Sequence, residues 1–116
     1  MKNSPTVHNM NLHSSPFEKV KSGEKTIELR LLDEKRQKIK VGDKILFTDN
    51  ESGETLLKTV AKLHKFGSFD ELYKTLPLLK CGYTEDDIDT AHPADMNAYY
   101  SEENQLKYGV LGIELV

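Results

Sequence analysis

Three charged residues within six positions carry the strongest chemical signal in this chain. In Gly23-Glu24-Lys25-Thr26-Ile27-Glu28-Leu29-Arg30, a glycine precedes a segment of strand periodicity. Ile27, Leu29 and Leu31 alternate with Thr26, Glu28 and Arg30, so the polar set shares one face. Glu28 and Arg30 are two residues apart, which places them about 7 Å from each other along the strand. A buried carboxylate beside a guanidinium is paired with it. Lys25 stands where the strand begins, close enough to hold a phosphate or to serve as a base. The bland alternative is a solvated face with a surface ion pair worth about 0–1 kcal/mol.

Other chemistry is thinly represented. His8, His13, His64 and His92 are scattered without the close helical spacing of a zinc site, and no metal or cofactor is expected. Cys81 is the single cysteine, which rules out an internal disulfide and a thiolate cluster. Lys80 beside it could favour a thiolate, but no base partner is recognisable. Tyr99 and Tyr100 could stack on bases. The commoner arrangement for such a pair packs one ring and exposes the other. Lys35, Arg36, Lys38 and Lys40 form a local basic run within a chain of net charge −3. That total argues against a nucleic-acid binder acting through bulk electrostatics.

The elements that must position these residues are legible in part. Residues 1–6 read as a flexible polar end, and residues 7–116 as one domain, the size being ordinary for a single core. Residues 7–12 form a first strand. Ser14-Ser15-Pro16 predicts a serine-capped helix carrying Phe17 and Val20 and closed by Gly23. After the strand at 25–32, residues 33–40 read as an exposed loop. Residues 44–48 and 55–63 flank the turn formers of 49–54, which predicts a β-hairpin. Ser68 with Glu71 predicts a capped helix ended by Pro77. Thr84 with the acids that follow predicts another, 95–103 a third, and residues 108–116 a closing strand.

Antiparallel short strands with segregated helices predict an α+β domain or an open barrel. No apolar run approaches the roughly 20 residues that span a bilayer. Met1 to Pro5 lack the apolar stretch of a signal peptide, so a cytoplasmic protein is expected, with no membrane partner.

The pattern Gly-x-Lys-x-x-Glu-x-Arg, here Gly23, Lys25, Glu28 and Arg30, resembles the signature of the ASCH family, related to PUA RNA-binding domains. Pro16-Phe17 with Val20, Val41-Gly42-Asp43, and Tyr108-Gly109-Val110 with Ile113 resemble that family's other elements, over roughly residues 8–116. The resemblance implies a PUA-like small open β-barrel with peripheral helices. It also implies a polar cleft for RNA or a nucleotide-like ligand, with Lys25, Glu28, Arg30, Thr26 and Tyr100 as candidate ligand-binding residues. As an alternative it implies a small hydrolase, either a ribonuclease or an acetylcytidine amidohydrolase. The latter type uses a lysine, a threonine and a glutamate. Lys25 matches the lysine, while Glu28 stands where that threonine would be.

Overall fold

The computed structural model describes residues 5–116, and its strands arise where the alternation predicts them. They are β1 (Val7–Leu12), β2 (Ile27–Leu31), β3 (Lys44–Asp49), β4 (Thr55–Phe66) and β5 (Val110–Leu115). Together they make one five-stranded sheet in the order β1-β3-β4-β5-β2. The β1–β3 pair is parallel, with Val7 opposite Lys44 and Leu12 opposite Asp49, and the remaining pairs are antiparallel. Most of the expected flexible end, residues 1–4, lies outside the described residues. Thr6 is tied in: its N–H donates to Asp43 Oδ1 and its carbonyl accepts from Lys44 N.

Curvature comes from β4, which spans 12 residues rather than the nine expected for 55–63. Residues 55–59 pair with β3, while residues 60–66 pair with β5. The register shifts between Val60 and Lys62. An extra residue in one strand bends it and increases its twist, so β4 leaves one half of the sheet and enters the other. The result is a curled half-barrel with helices at its periphery, an α+β fold of the expected PUA-like kind.

Two apolar layers hold it. Inside the curl, Phe17 and Val20 of α1 (Ser14–Ser22) pack on Ile45, Phe47, Val60, Leu111 and Ile113. On the other side, α2 (Phe69–Thr75) brings Phe69 and Leu72 against Ile27, Leu29, Leu31 and Val110. β5 is thereby covered on both faces, whereas β2 is covered on one and turns Glu28 and Arg30 to the other. Side chains on both faces are withdrawn from water, and that burial supplies most of the favourable free energy of folding.

Several expected helix details differ. Ser14 does not cap α1: the cap position is His13, without a side-chain bond, and Ser14 Oγ donates to Asp49 Oδ1 at 2.6 Å. Ser68 does cap α2, accepting from Glu71 N at 3.3 Å. The helix expected from Thr84 shrinks to a 3-10 turn, Ile88–Thr90, although Asp87 Oδ1 accepts from both Thr84 N and Thr84 Oγ at the spacing of a capping box. The third expected helix divides into a 3-10 segment, Pro93–Ala98, and α3 (Glu102–Tyr108), with Ser101 capping the latter. The 33–40 loop contains a 3-10 turn, Arg36–Lys38, anchored by the buried Ile39.

Candidate functional site

α1 ends at Gly23, whose φ of 88° is the left-handed value that glycine adopts without a Cβ penalty. Its N–H donates to Val20 O, and two residues on Lys25 N donates to Lys19 O. This reversal lays the Lys25 side chain along Gly82 and brings Nζ to Glu28 Oε1 at 2.6 Å. Arg30 approaches the other oxygen: Nε and Nη2 lie 2.8 and 2.7 Å from Glu28 Oε2. Nη2 also donates to the carbonyl of Asn11 at 3.1 Å. Lys25, Glu28 and Arg30 therefore converge, as the strand alternation requires of two of them and the glycine turn allows for the third.

Glu28 is 3% exposed. Burial alone would raise its pKa, but the charges of Lys25 and then Arg30, with their hydrogen bonds, hold the carboxyl below its ordinary value. Arg30 lies above its own: burial acts to lower it, and the Glu28 carboxylate outweighs that effect. Two cations thus share one ionised carboxylate, leaving a local surplus of one positive charge. Among the described residues, the remaining Lys25 N–H groups and Arg30 Nη1 have no protein acceptor.

The cluster sits in a cleft of about 630 Å³. One wall comes from the end of β1 and from α1, through Asn11 and Lys19, and the other from Tyr73, Tyr83 and Tyr100. Lys19 Nζ donates to Gly82 O at 3.0 Å, which ties the two walls together. Tyr100 lines the cleft with its ring stacked on Phe69, centroids 6.2 Å apart, whereas Tyr99 is 69% exposed. Thr26 is not among the lining residues: its N–H donates to Lys80 O and its carbonyl accepts from Leu115 N, which seat it in the fold.

The chain matches the model of the ASCH domain over residues 10–116. This protein belongs to the ASCH family. Solved structures agree. The hypothetical protein PH0355 shares 33% identity with this ASCH domain, with a TM-score of 0.78 over 95% of this chain and 97% of that one. Protein PF0455 from Pyrococcus furiosus also shares 33% identity, with a TM-score of 0.67 over 95% of this chain and 96% of that one. The ASCH protein from Zymomonas mobilis shares 12% identity and a TM-score of 0.64 over 96% of this chain and 67% of its own, which is a likeness of fold. No curated protein matches the sequence.

Cys81 lines the ASCH cleft. Burial pushes its thiol up to about 12 despite the lowering influence of Lys25, so it stays protonated at neutral pH. Among the described residues, no group of three His, Cys, Asp or Glu side chains could hold a metal ion. No helix there is long and apolar enough to cross a membrane. Tyr73, Tyr83 and Asp95 are wall residues that the sequence did not single out as site residues. They are spread over 23 positions in turns and short helices, and no periodicity links them.

Proposed function

We propose that this ASCH domain binds RNA or a nucleotide-like ligand in the Lys25–Glu28–Arg30 cleft. The observation that carries the reading is the paired cations held around one buried carboxylate, with unused N–H groups at the wall of a half-open cleft. Glu28 holds Lys25 and Arg30 in place, so the donors are pre-positioned for a phosphate or a base edge. A volume of about 630 Å³ lies within the range of small-ligand sites, roughly 300–1,000 Å³. It suits one nucleotide, or one unstacked nucleotide of a strand. Tyr100 adds an aromatic surface of the kind on which bases stack.

Titration of nucleoside monophosphates and a short RNA at low ionic strength tests this. Binding should be weak in the wild type and fall by about tenfold in Lys25→Ala and in Arg30→Ala, as for loss of a charge-assisted hydrogen bond. Equal affinity in all three proteins would remove the cleft from the function.

A further inference from the structure

Away from the cation cluster, Tyr73, Tyr83 and Asp95 of the cleft wall form a hydrogen-bonded chain with a fixed direction. Tyr83 Oη donates to Asp95 Oδ2 at 2.7 Å, and the Tyr73 and Tyr83 hydroxyl oxygens are 2.7 Å apart. Asp95 Oδ2 also accepts from His92 N at 3.1 Å. The bond from Tyr83, then the one from His92, holds Asp95 below its ordinary value. Burial raises both phenols, and for Tyr83 the bonds to Tyr73 and Asp95 add to it. The relay at neutral pH is therefore one carboxylate and two neutral phenols.

Each phenol has a single proton, and an ionised carboxylate only accepts. Tyr83 spends its proton on Asp95, so the proton between the two tyrosines must come from Tyr73. The relay then has none left to offer. Among the described residues, Tyr73 Oη has no other partner and Asp95 Oδ1 has none at all. Every remaining side-chain site on the relay itself is an acceptor, in contrast to the N–H groups of Lys25 and Arg30 in the same cleft.

We propose that the Tyr73–Tyr83–Asp95 relay is a specificity device that admits a hydrogen-bond donor of the ligand, above all an exocyclic amino group, and rejects a carbonyl in its place. This rests on the nucleotide reading above. The lone pairs left on Tyr73 and Asp95 can each take a hydrogen from such a donor. A carbonyl oxygen facing them would meet only lone pairs and gain no hydrogen bond from the relay.

The test is calorimetric titration at low ionic strength with two pairs differing in that group: adenosine against inosine monophosphate, and cytidine against uridine monophosphate. The wild type should bind the amino member of each pair about tenfold more tightly, the value of one net hydrogen bond. Asp95→Asn offers an amide N–H to Tyr83 and frees the phenol protons to turn towards the cleft, while Tyr83→Phe cuts the relay. Both variants should abolish the preference by weakening the amino members alone, with the keto members within about twofold of wild type. Equal binding within each pair by the wild type, or an undiminished preference in Asp95→Asn, would overturn the selector and leave the nucleotide reading standing. No binding of any of the four would overturn the reading, and the selector with it.

Discussion

Glu28 is the hinge of the site's electrostatics. Its folded pKa is depressed, so it contributes stability above its ordinary value of 4.5 that is lost as pH falls through the lower folded value. Glu28→Gln removes that titration. The variant should be less stable than wild type at pH 7, by about 3 kcal/mol for a buried cation pair left without its counter-charge. It should also lose less stability than wild type between pH 5 and 3 (about the carboxylate range). Denaturant unfolding across that range checks it, and parallel curves for the two proteins would show that Glu28 is not the group responsible. Asp43 supplies residual acid sensitivity in both. Burial would raise its carboxyl, but His8 at 2.8 Å and the Lys40 and Thr6 N–H groups hold it low. A second residue-scale expectation concerns chemistry. The family resemblance implies that Glu28 stands where an amidohydrolase of this type would place a hydroxyl, and a carboxylate cannot form the same acyl-enzyme ester. Acetylcytidine hydrolysis should be absent or very slow; robust cytidine release that Lys25→Ala abolishes would reverse the ranking of binder over enzyme.

At the scale of elements, the site depends on where strands and helices stop. Gly109, the residue after α3, has φ 74°, and a Cβ there would lie 2.9 Å from the carbonyl oxygen of Phe66. Backbone cannot yield as a side-chain tip can. Gly109→Ala should therefore cost about 1–3 kcal/mol, combining left-handed strain with a steric clash. Its effect should reach the cleft, because the Gly109 carbonyl accepts from Leu32 N directly after β2. A lowered unfolding midpoint with weakened nucleotide binding is the expected result. An unchanged midpoint would mean that the β4 end and Gly109 separate without cost. The contrast with α1 is instructive: nothing lies within 4 Å of a Cβ at Gly23, so only the backbone angle demands glycine there.

For the whole molecule, charge sets the expected strength of binding. With a net charge of −3 there is no bulk attraction for a polyanion, and the Lys25–Glu28–Arg30 cluster offers a local surplus of one. If Lys25 and Arg30 each meet a phosphate, the affinity for single-stranded RNA should fall with salt at a log–log slope of about −1.4, from roughly −0.7 per neutralised phosphate. A slope several times steeper would bring the basic run at Lys35, Arg36, Lys38 and Lys40 into the interface. Arg36 is already committed in part, to Asp33 at 2.7 Å.

Period-2 alternation and turn chemistry were enough to read the strands, the β3–β4 hairpin and the Gly23 stop directly, because each is decided by residues within a few positions of one another. The same holds for Glu28 beside Arg30: two residues along a strand, the backbone itself aims both side chains one way. The signature at Gly23, Lys25, Glu28 and Arg30 extended that reading to the family and the half-barrel. Tertiary structure decided the rest. Thr26 shares the alternating face of Glu28, yet Lys80 and β5 claim its backbone and it does not line the cleft. Cys81 has a lysine as its sequence neighbour, but burial governs its thiol. Tyr73, Tyr83 and Asp95 meet only because the α2 layer folds over β2 and β5, and the parallel pairing of β1 with β3 needs the intervening chain to be in place first. Contacts of this kind join residues far apart in the chain, and their energies come from burial and desolvation that no local window of sequence contains.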